Sequence, residues 1–444
     1  MDNRISIAAV RANAQSVTVA GRIMAHRKMK NYGFYDVIDE SGKIQLLIES
    51  SSSLASPNVG DIVCASGAVT TTKTGQLSVK CLDIQILSKG SPDILNALRA
   101  ISTKDLDLRS QRSLSLMVDN DLKKMVNARS LFIDIIRSHL KTGGFMEVDT
   151  PVMSYSRFAG TASVFETQSR TLDKNLYLRG TLEDYLKQLV VAGFEKVFQV
   201  GDCFRNESPA LISFTMLEAT WAYATSEQML DFTQELVSRL CNDIPDELVD
   251  IEMKTELSKK FEVVTFWNVL ENYFGFDIRA LELVQVQELA KKEGYALPES
   301  QHFEYEIAKF GYDVIKRRLA KSFESPTFVS RFPACISPLA KMANNETGEA
   351  YRGYGFFKGQ RLFEVVEEAS DYQEQLDKFQ AQDDRSNRSD YSFKHDDLLV
   401  SLSYGCPPMA GLGFNVNRVL AVLLNVNRTS DVVAFPLTSA ALPL

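Results

Sequence analysis

The chain has 444 residues, 45% of them hydrophobic and 24% charged, an ordinary globular composition that excludes a largely disordered protein. At roughly 150 residues per domain the length excludes a single small module and predicts two or three domains. Lys and Arg number 49 against 57 Asp and Glu, a net charge of -8, so any attraction for a polyanion must come from a local patch.

No run approaches the ~20 apolar residues of a membrane span, and the opening MDNRISIAAVRANAQSV lacks an apolar signal core, so the expected address is the cytoplasm and no membrane partner is expected. The six cysteines contain no CxxC pair. His26, His139, His302 and His395 have no ligand spacing, so zinc is not expected and these residues read as ordinary core or surface positions.

From 17 to 88 the chain reads as about five short strands (VTVAGRI, GFYDVID, KIQLLIE, GDIVCASGAV, LSVKCLDIQIL), with turns at DESG and KTG. This pattern predicts a small barrel of the oligonucleotide-binding type, an OB-fold, over residues 1–90. Its basic stretch Arg22, His26, Arg27, Lys28, Lys30 precedes Tyr32, Phe34 and Tyr35. Cations that track phosphates beside rings that stack on bases suit single-stranded nucleic acid; a solvated charged face over core aromatics explains the same residues equally well.

KGSP (89–92) reads as a hinge, and 91–118 as a charged helical linker. Apolar positions three and four apart then predict a helix over 121–141, stopped at Gly143-Gly144. Residues 119–444 alternate helices and strands, with a helix-rich section near 226–320 and a polar surface loop expected at 380–397.

Several stretches of this large domain stand in a particular order: GFMEVDTPVM (144–153), YLRGTLEDYLKQLVVAGFEKVFQVGDCFRNE (177–207), FTMLEATWAYA (214–224), SPLAK (337–341), LFEVVEE (362–368) and GLGFNVNRVL (411–420). Together they resemble a class II aminoacyl-tRNA synthetase, most closely a bacterial lysyl-tRNA synthetase, over nearly the whole chain. The resemblance implies an α+β fold in which an amino-terminal OB-fold β-barrel for the anticodon precedes an antiparallel sheet domain flanked by helices. It also implies ATP as cofactor, a cationic amino acid and tRNA as partners, and a homodimer built on helix 121–141 and the strand ending at Pro151.

By the same resemblance Arg205 meets the α-phosphate with Glu207 beside it, Phe214 stacks on adenine, and Arg418 meets the γ-phosphate. Gly411 and Gly413 leave room for the nucleotide. Glu183 matches the carboxylate for the α-ammonium, while Glu218 and Glu368 match those for the ε-ammonium. Arg22, Arg27, Lys28, Phe34 and Gln45 are the implied tRNA contacts. If 362–368 is a strand, Glu364 and Glu368 share one face; exposed glutamates on an edge strand are the bland reading of Glu364 and Glu367. Several carboxylates in one cleft raise each other's pKa unless a cation neutralises them, which favours a cationic ligand.

The pattern also breaks. The loop between FRNE and FTMLE is trimmed to SPALIS (208–213). The two magnesium carboxylates of the family align with Tyr354 and Arg361, so its metal site is replaced, and Arg361 is expected to reach the phosphates itself. Glu364 replaces an asparagine, Thr220 a tyrosine, Asn417 an acid, and Gln76 the glutamate of a barrel turn. Two functions follow: an enzyme that activates a cationic amino acid as an adenylate for tRNA or another acceptor, or a paralogue that only binds amino acid, nucleotide or tRNA as a regulator.

Overall fold

The computed structural model describes residues 3–72, 74–91, 93–94, 112–155, 163–206, 212–298, 302–344, 346–386 and 397–437. The chain divides into two compact units, Met1–Asn120 and Asp121–Leu444. Most of the expected linker, residues 95–111, lies outside the described residues; a helix, Arg112–Val118, follows it.

In the first unit β1 (Ser16–Lys28), β2 (Tyr32–Asp39), β3 (Gly42–Glu49), β4 (Ile62–Thr71) and β5 (Leu77–Ser88) close a barrel in the order β1-β2-β3-β5-β4. Strand β1 serves two neighbours. Its first half pairs with β4 and its second with β2, and a bulge between Ile23 and Ala25 bends it from one to the other. Val19, Ile23, Val37, Leu46, Val63 and Val79 fill the interior, each completely shielded from solvent.

The second unit opens with helix α1 (Asn120–Thr142). Asp121 sits in its first turn and His139 and Lys141 in its last, the order that the helix dipole favours. Gly144, at φ +83°, ends the helix in the left-handed region that glycine adopts without strain. Eight strands then form one sheet: β6 (Met146–Glu147), β7 (Lys196–Phe204), β8 (Ser213–Ala222), β9 (Glu262–Thr265), β10 (Thr327–Ser330), β11 (Arg352–Phe357), β12 (Gln360–Glu367) and β13 (Met409–Asn415). They lie in the order β9-β10-β11-β12-β13-β8-β7-β6, antiparallel throughout except for a parallel strand at each edge.

One face of the sheet is apolar. Leu217 and Ala219 of β8, Val365 of β12, and Leu412 and Phe414 of β13 pack on Phe132, Ile136 and Leu140 of α1 and on helices α3 (Ser226–Asp243) and α6 (Val416–Leu423). Cutting a fully buried aromatic such as Phe132 back to alanine would cost about 3–5 kcal/mol. The helix-rich section carries a second core, Phe266, Trp267, Leu270 and Phe310, which rests on Val329, Tyr354 and Phe356 at the far end of the sheet. The expected polar loop at 380–397 is partly helical, since helix α5 runs Tyr372–Ser386 and a new helix begins at Asp397; residues 387–396 lie outside the described residues.

Candidate active site

Side chains alternate across a strand, so the other face of the same three central strands carries the chemistry. Met216, Glu218 and Thr220 of β8, Glu364 and Val366 of β12 with Glu368 just beyond it, and Gly411, Gly413 and Asn415 of β13 floor a cleft of about 690 Å³. Gly413 pairs in register with both Glu218 and Glu364, which keeps the ground between those two carboxylates clear. At Gly411 an added Cβ would lie 2.4 Å from Glu368 Oε1, so this glycine makes room for a glutamate of the chain itself. Strand β12 is central in the sheet, and its glutamates are not an exposed edge row. Glu367, on the opposite face, pairs with Lys341 Nζ at 2.8 Å.

One end of the cleft is acidic. Glu218 accepts hydrogen bonds from the Thr181 hydroxyl, at 3.1 and 3.0 Å, and from Leu182 N–H at 3.1 Å, at the start of helix α2 (Glu183–Val191). Burial, and then the neighbouring Glu183, push its pKa up to about 8. Glu183 and Glu368 differ from it, because the chain supplies their cation. Lys187, one turn after Glu183 and 2% exposed, places Nζ 2.6 Å from Glu183 Oε1 and 2.7 Å from Glu368 Oε2. Burial opposes the charge on Lys187, yet the two carboxylates raise its pKa above the ordinary lysine range. Burial and Glu183 raise the Glu368 carboxyl against the pull of Lys187. Of the three carboxylates expected to meet a ligand's ammonium groups, Glu183 and Glu368 thus already share Lys187, and Glu218 has no cation partner among the described residues.

The other end is basic. Arg205 lies over the Phe214 ring with its guanidinium carbon 5.3 Å from the centroid, and its Nε is buried without a hydrogen-bond partner. Arg361 donates to the Tyr312 hydroxyl at 2.7 Å and stacks 4.5 Å from the Tyr354 centroid. Arg418 donates to the Arg361 carbonyl at 3.2 Å. Burial, followed by Arg361 and then Arg205, lowers the Arg418 pKa to about 10, so the three cations share one neighbourhood. None of the three lies within ion-pair distance of a described carboxylate. Glu364 is taken by Arg352 at 2.7 Å, and Arg352 also bonds the Tyr354 hydroxyl. Although burial works against it, Arg352 and Arg361 hold the Glu364 carboxyl below its usual range.

The structure thus brings Arg205, Phe214, Arg361, Arg418, Gly411, Gly413, Glu183, Glu218, Glu364 and Glu368 into one cleft. Glu207 lies outside the described residues, with most of the trimmed loop. Sequence reasoning missed Lys187, Arg352, Tyr312 and Arg129. Of these, Lys187 had a local signal, the i,i+4 spacing in EDYLK. Arg129 reaches from α1 to Asn417 Oδ1 at 3.1 Å and to the Thr215 hydroxyl at 2.6 Å, and the Asn417 Nδ2 is left buried and unpaired.

On the barrel, Arg27 pairs in register with Phe34, beside Tyr32, and Lys28 is exposed. Arg22 is turned to the Gly60 carbonyl at 2.7 Å, and Gln45 is 2% exposed and accepts from Ser78 at 3.2 Å. Those two are engaged within the barrel, whereas Arg27, Lys28 and Phe34 reach solvent.

Tyr354 and Arg361, the positions that the resemblance gives to the metal carboxylates, offer a magnesium ion no carboxylate. Among the described residues no three His, Cys, Asp or Glu side chains converge as ligands. The nearest carboxylate, Glu364, is already neutralised. A dication needs oxygen ligands and would face three guanidinium charges.

Comparison with known proteins decides the family. Residues 104–439 match the description "tRNA synthetases class II (D, K and N)", and residues 17–87 match "OB-fold nucleic acid binding domain". The chain belongs to the class II tRNA synthetases. Among its relatives, the lysine-tRNA ligase of Listeria welshimeri is 32% identical over 439 residues, 95% of this chain and 87% of that protein. That of Pasteurella multocida is 32% identical over 96% of this chain and 88% of its own length, and that of Thioalkalivibrio sulfidiphilus 30% over 96% and 87%. As a class II synthetase the chain has the expected α+β architecture, an OB-fold followed by a helix-flanked sheet. No helix among the described residues is long and apolar enough to cross a membrane.

Proposed function

We propose that this chain activates lysine or a related cationic amino acid with ATP and passes it to tRNA or another acceptor in the cytoplasm. The observation that carries the reading is a pair of unanswered sets of groups in one cleft, a buried carboxyl without a cation at one end and three guanidinium groups without a carboxylate at the other, both among the described residues. An amino acid with a side-chain ammonium would answer Glu218 and turn its carboxylate toward the arginines. A carboxylate oxygen would attack the α-phosphorus, and the bond to pyrophosphate would break. Negative charge grows there in the transition state, where a fixed Arg205 guanidinium stabilises it. Arg418 would hold the outer phosphates and Phe214 would pack on the base.

Lysine-dependent exchange of labelled pyrophosphate into ATP tests this. We expect exchange with lysine, absent with leucine, and lowered on the order of a hundredfold in Arg205→Gln. Lysine that binds without supporting exchange would favour the second reading, a binding or regulatory paralogue, for which the Tyr354 and Arg361 replacements speak.

The acceptor side of the proposal rests on Arg27, Lys28 and Phe34, cations and a ring side by side on the barrel. A homodimer is proposed on α1 and the segment after it, where Met146, Val152, Met153 and Tyr155 are exposed apolar residues, 43%, 43%, 48% and 60% open to solvent. Sedimentation equilibrium at micromolar concentration should give twice the 49.7 kDa chain mass; a monomer would remove the proposal.

A further inference from the structure

We propose that Arg205, Arg361 and Arg418 form a polyphosphate cradle that binds ATP without a divalent cation. This inference rests on the nucleotide reading of the cleft given above and adds how the nucleotide is held.

Three observations carry it. The first is the donor set. Tyr354 and Arg361 offer a metal no carboxylate, and Glu364, which faces Tyr354 across the ladder, is spent on Arg352. The second is that the cations are free for an anion. Arg205, Arg361 and Arg418 all line the cleft, none has a carboxylate partner among the described residues, and Arg205 keeps a buried N–H with nothing to donate to. A buried donor without a partner is costly, and a phosphate oxygen is the acceptor that such a guanidinium fits best.

The third is that Arg361 is held in position rather than left on a mobile stem. The ladder between β11 and β12 shifts register between Gly355 and Phe356, and Phe356 pairs with Arg361, so a bulge sets the direction of this side chain. The Tyr354 ring lies against its guanidinium, Tyr312 of helix α4 (Phe303–Val314) accepts one of its N–H groups, and the two tyrosine rings stack 5.7 Å apart. The two replacements therefore complement each other. Tyr354 supplies a face for Arg361, and Arg361 supplies the positive charge. A guanidinium held on one N–H keeps the rest of its fork for phosphate oxygens. Tyr312 and Tyr354 act here as positioning residues.

The test is calorimetric titration of the full chain with ATP, once in EDTA and once in excess Mg²⁺. Free ATP carries more negative charge than its magnesium complex, so binding in EDTA should be at least as tight as in Mg²⁺. Arg361→Gln should weaken the EDTA arm about tenfold or more, the loss of a charge-assisted contact, with its thermal transition kept. Tyr312→Phe should weaken it only a few-fold, because the charge stays and only its anchor goes. Should Arg361→Gln not fold, Arg361→Lys, which keeps the charge and loses the fork, should still weaken the EDTA arm. Binding that vanishes in EDTA and returns with Mg²⁺ would overturn the cradle and leave the proposed function standing. Lysine binding with no ATP binding in either arm would overturn the cradle and the nucleotide reading together.

Discussion

Replacing Lys187 by methionine should destabilise the protein by about 3–5 kcal/mol, toward the lower figure because Glu183 is partly solvated. Methionine nearly matches the shape of the lysine stem, so the effect isolates the charge. Its loss strands Glu368, 1% exposed, whose other near neighbour is the like-charged Glu183. The pH dependence follows from the sign. Glu368 already has its folded pKa raised above the ordinary 4.5, and without Lys187 that pKa must rise further. A carboxyl raised on folding contributes most below its unfolded pKa, and that contribution is lost as pH climbs toward the folded value. Urea unfolding should therefore show a larger deficit at pH 8 than at pH 5, and Glu368→Gln added to Lys187→Met should recover much of it. A deficit under 1 kcal/mol at both pH values would mean that the buried triad is not the charge cluster described here.

How much of this site could be read from the sequence depended on the range of the interaction. Strand alternation is local, so the shared face of Glu364 and Glu368 was legible once 362–368 was read as a strand, and the ordered motifs brought Arg205, Glu218 and Arg418 with them. Lys187 was missed, although its helical spacing from Glu183 is a local signal. Its partner Glu368, however, comes from the end of β12, and no periodicity in EDYLK points across that distance. Tyr312 is 49 residues from Arg361 and lies in a helix whose apolar stripe reads only as core. Arg352 and Glu364 meet across a ladder that a bulge has shifted, a displacement with no clear signature in YRGYGFFKGQR. Gln45 was an implied tRNA contact by resemblance alone, and alternation gives the face of a strand but not what covers it. In the barrel that residue is shielded and bonded to Ser78.

Lysine should bind more tightly as pH rises from 6 to 8, by up to about tenfold per unit, and then level off. Glu218 is the cause. It is buried beside Glu183 with no cation partner among the described residues, and its pKa of about 8 leaves it largely protonated at neutral pH. A neutral carboxyl offers an ammonium little, whereas the ionised one offers a charge-assisted pair in a weakly screened place. Binding below pH 8 must therefore expel a proton, and calorimetry in two buffers of different ionisation enthalpy should detect close to one proton released per lysine. The unliganded protein carries the complementary cost. Its Glu218 binds a proton more tightly when folded than when unfolded, so stability falls as pH passes from 4.5 toward 8, by on the order of 5 kcal/mol at most. Glu218→Gln removes the titrating group and keeps its size. That variant should be more stable than the parent at pH 9, should bind lysine weakly, and should do so without pH dependence. Leucine should bind both proteins alike. If lysine binds the parent with no proton release and no change between pH 6 and 8, Glu218 is not its partner, and the acidic end of the cleft holds something other than an ammonium group.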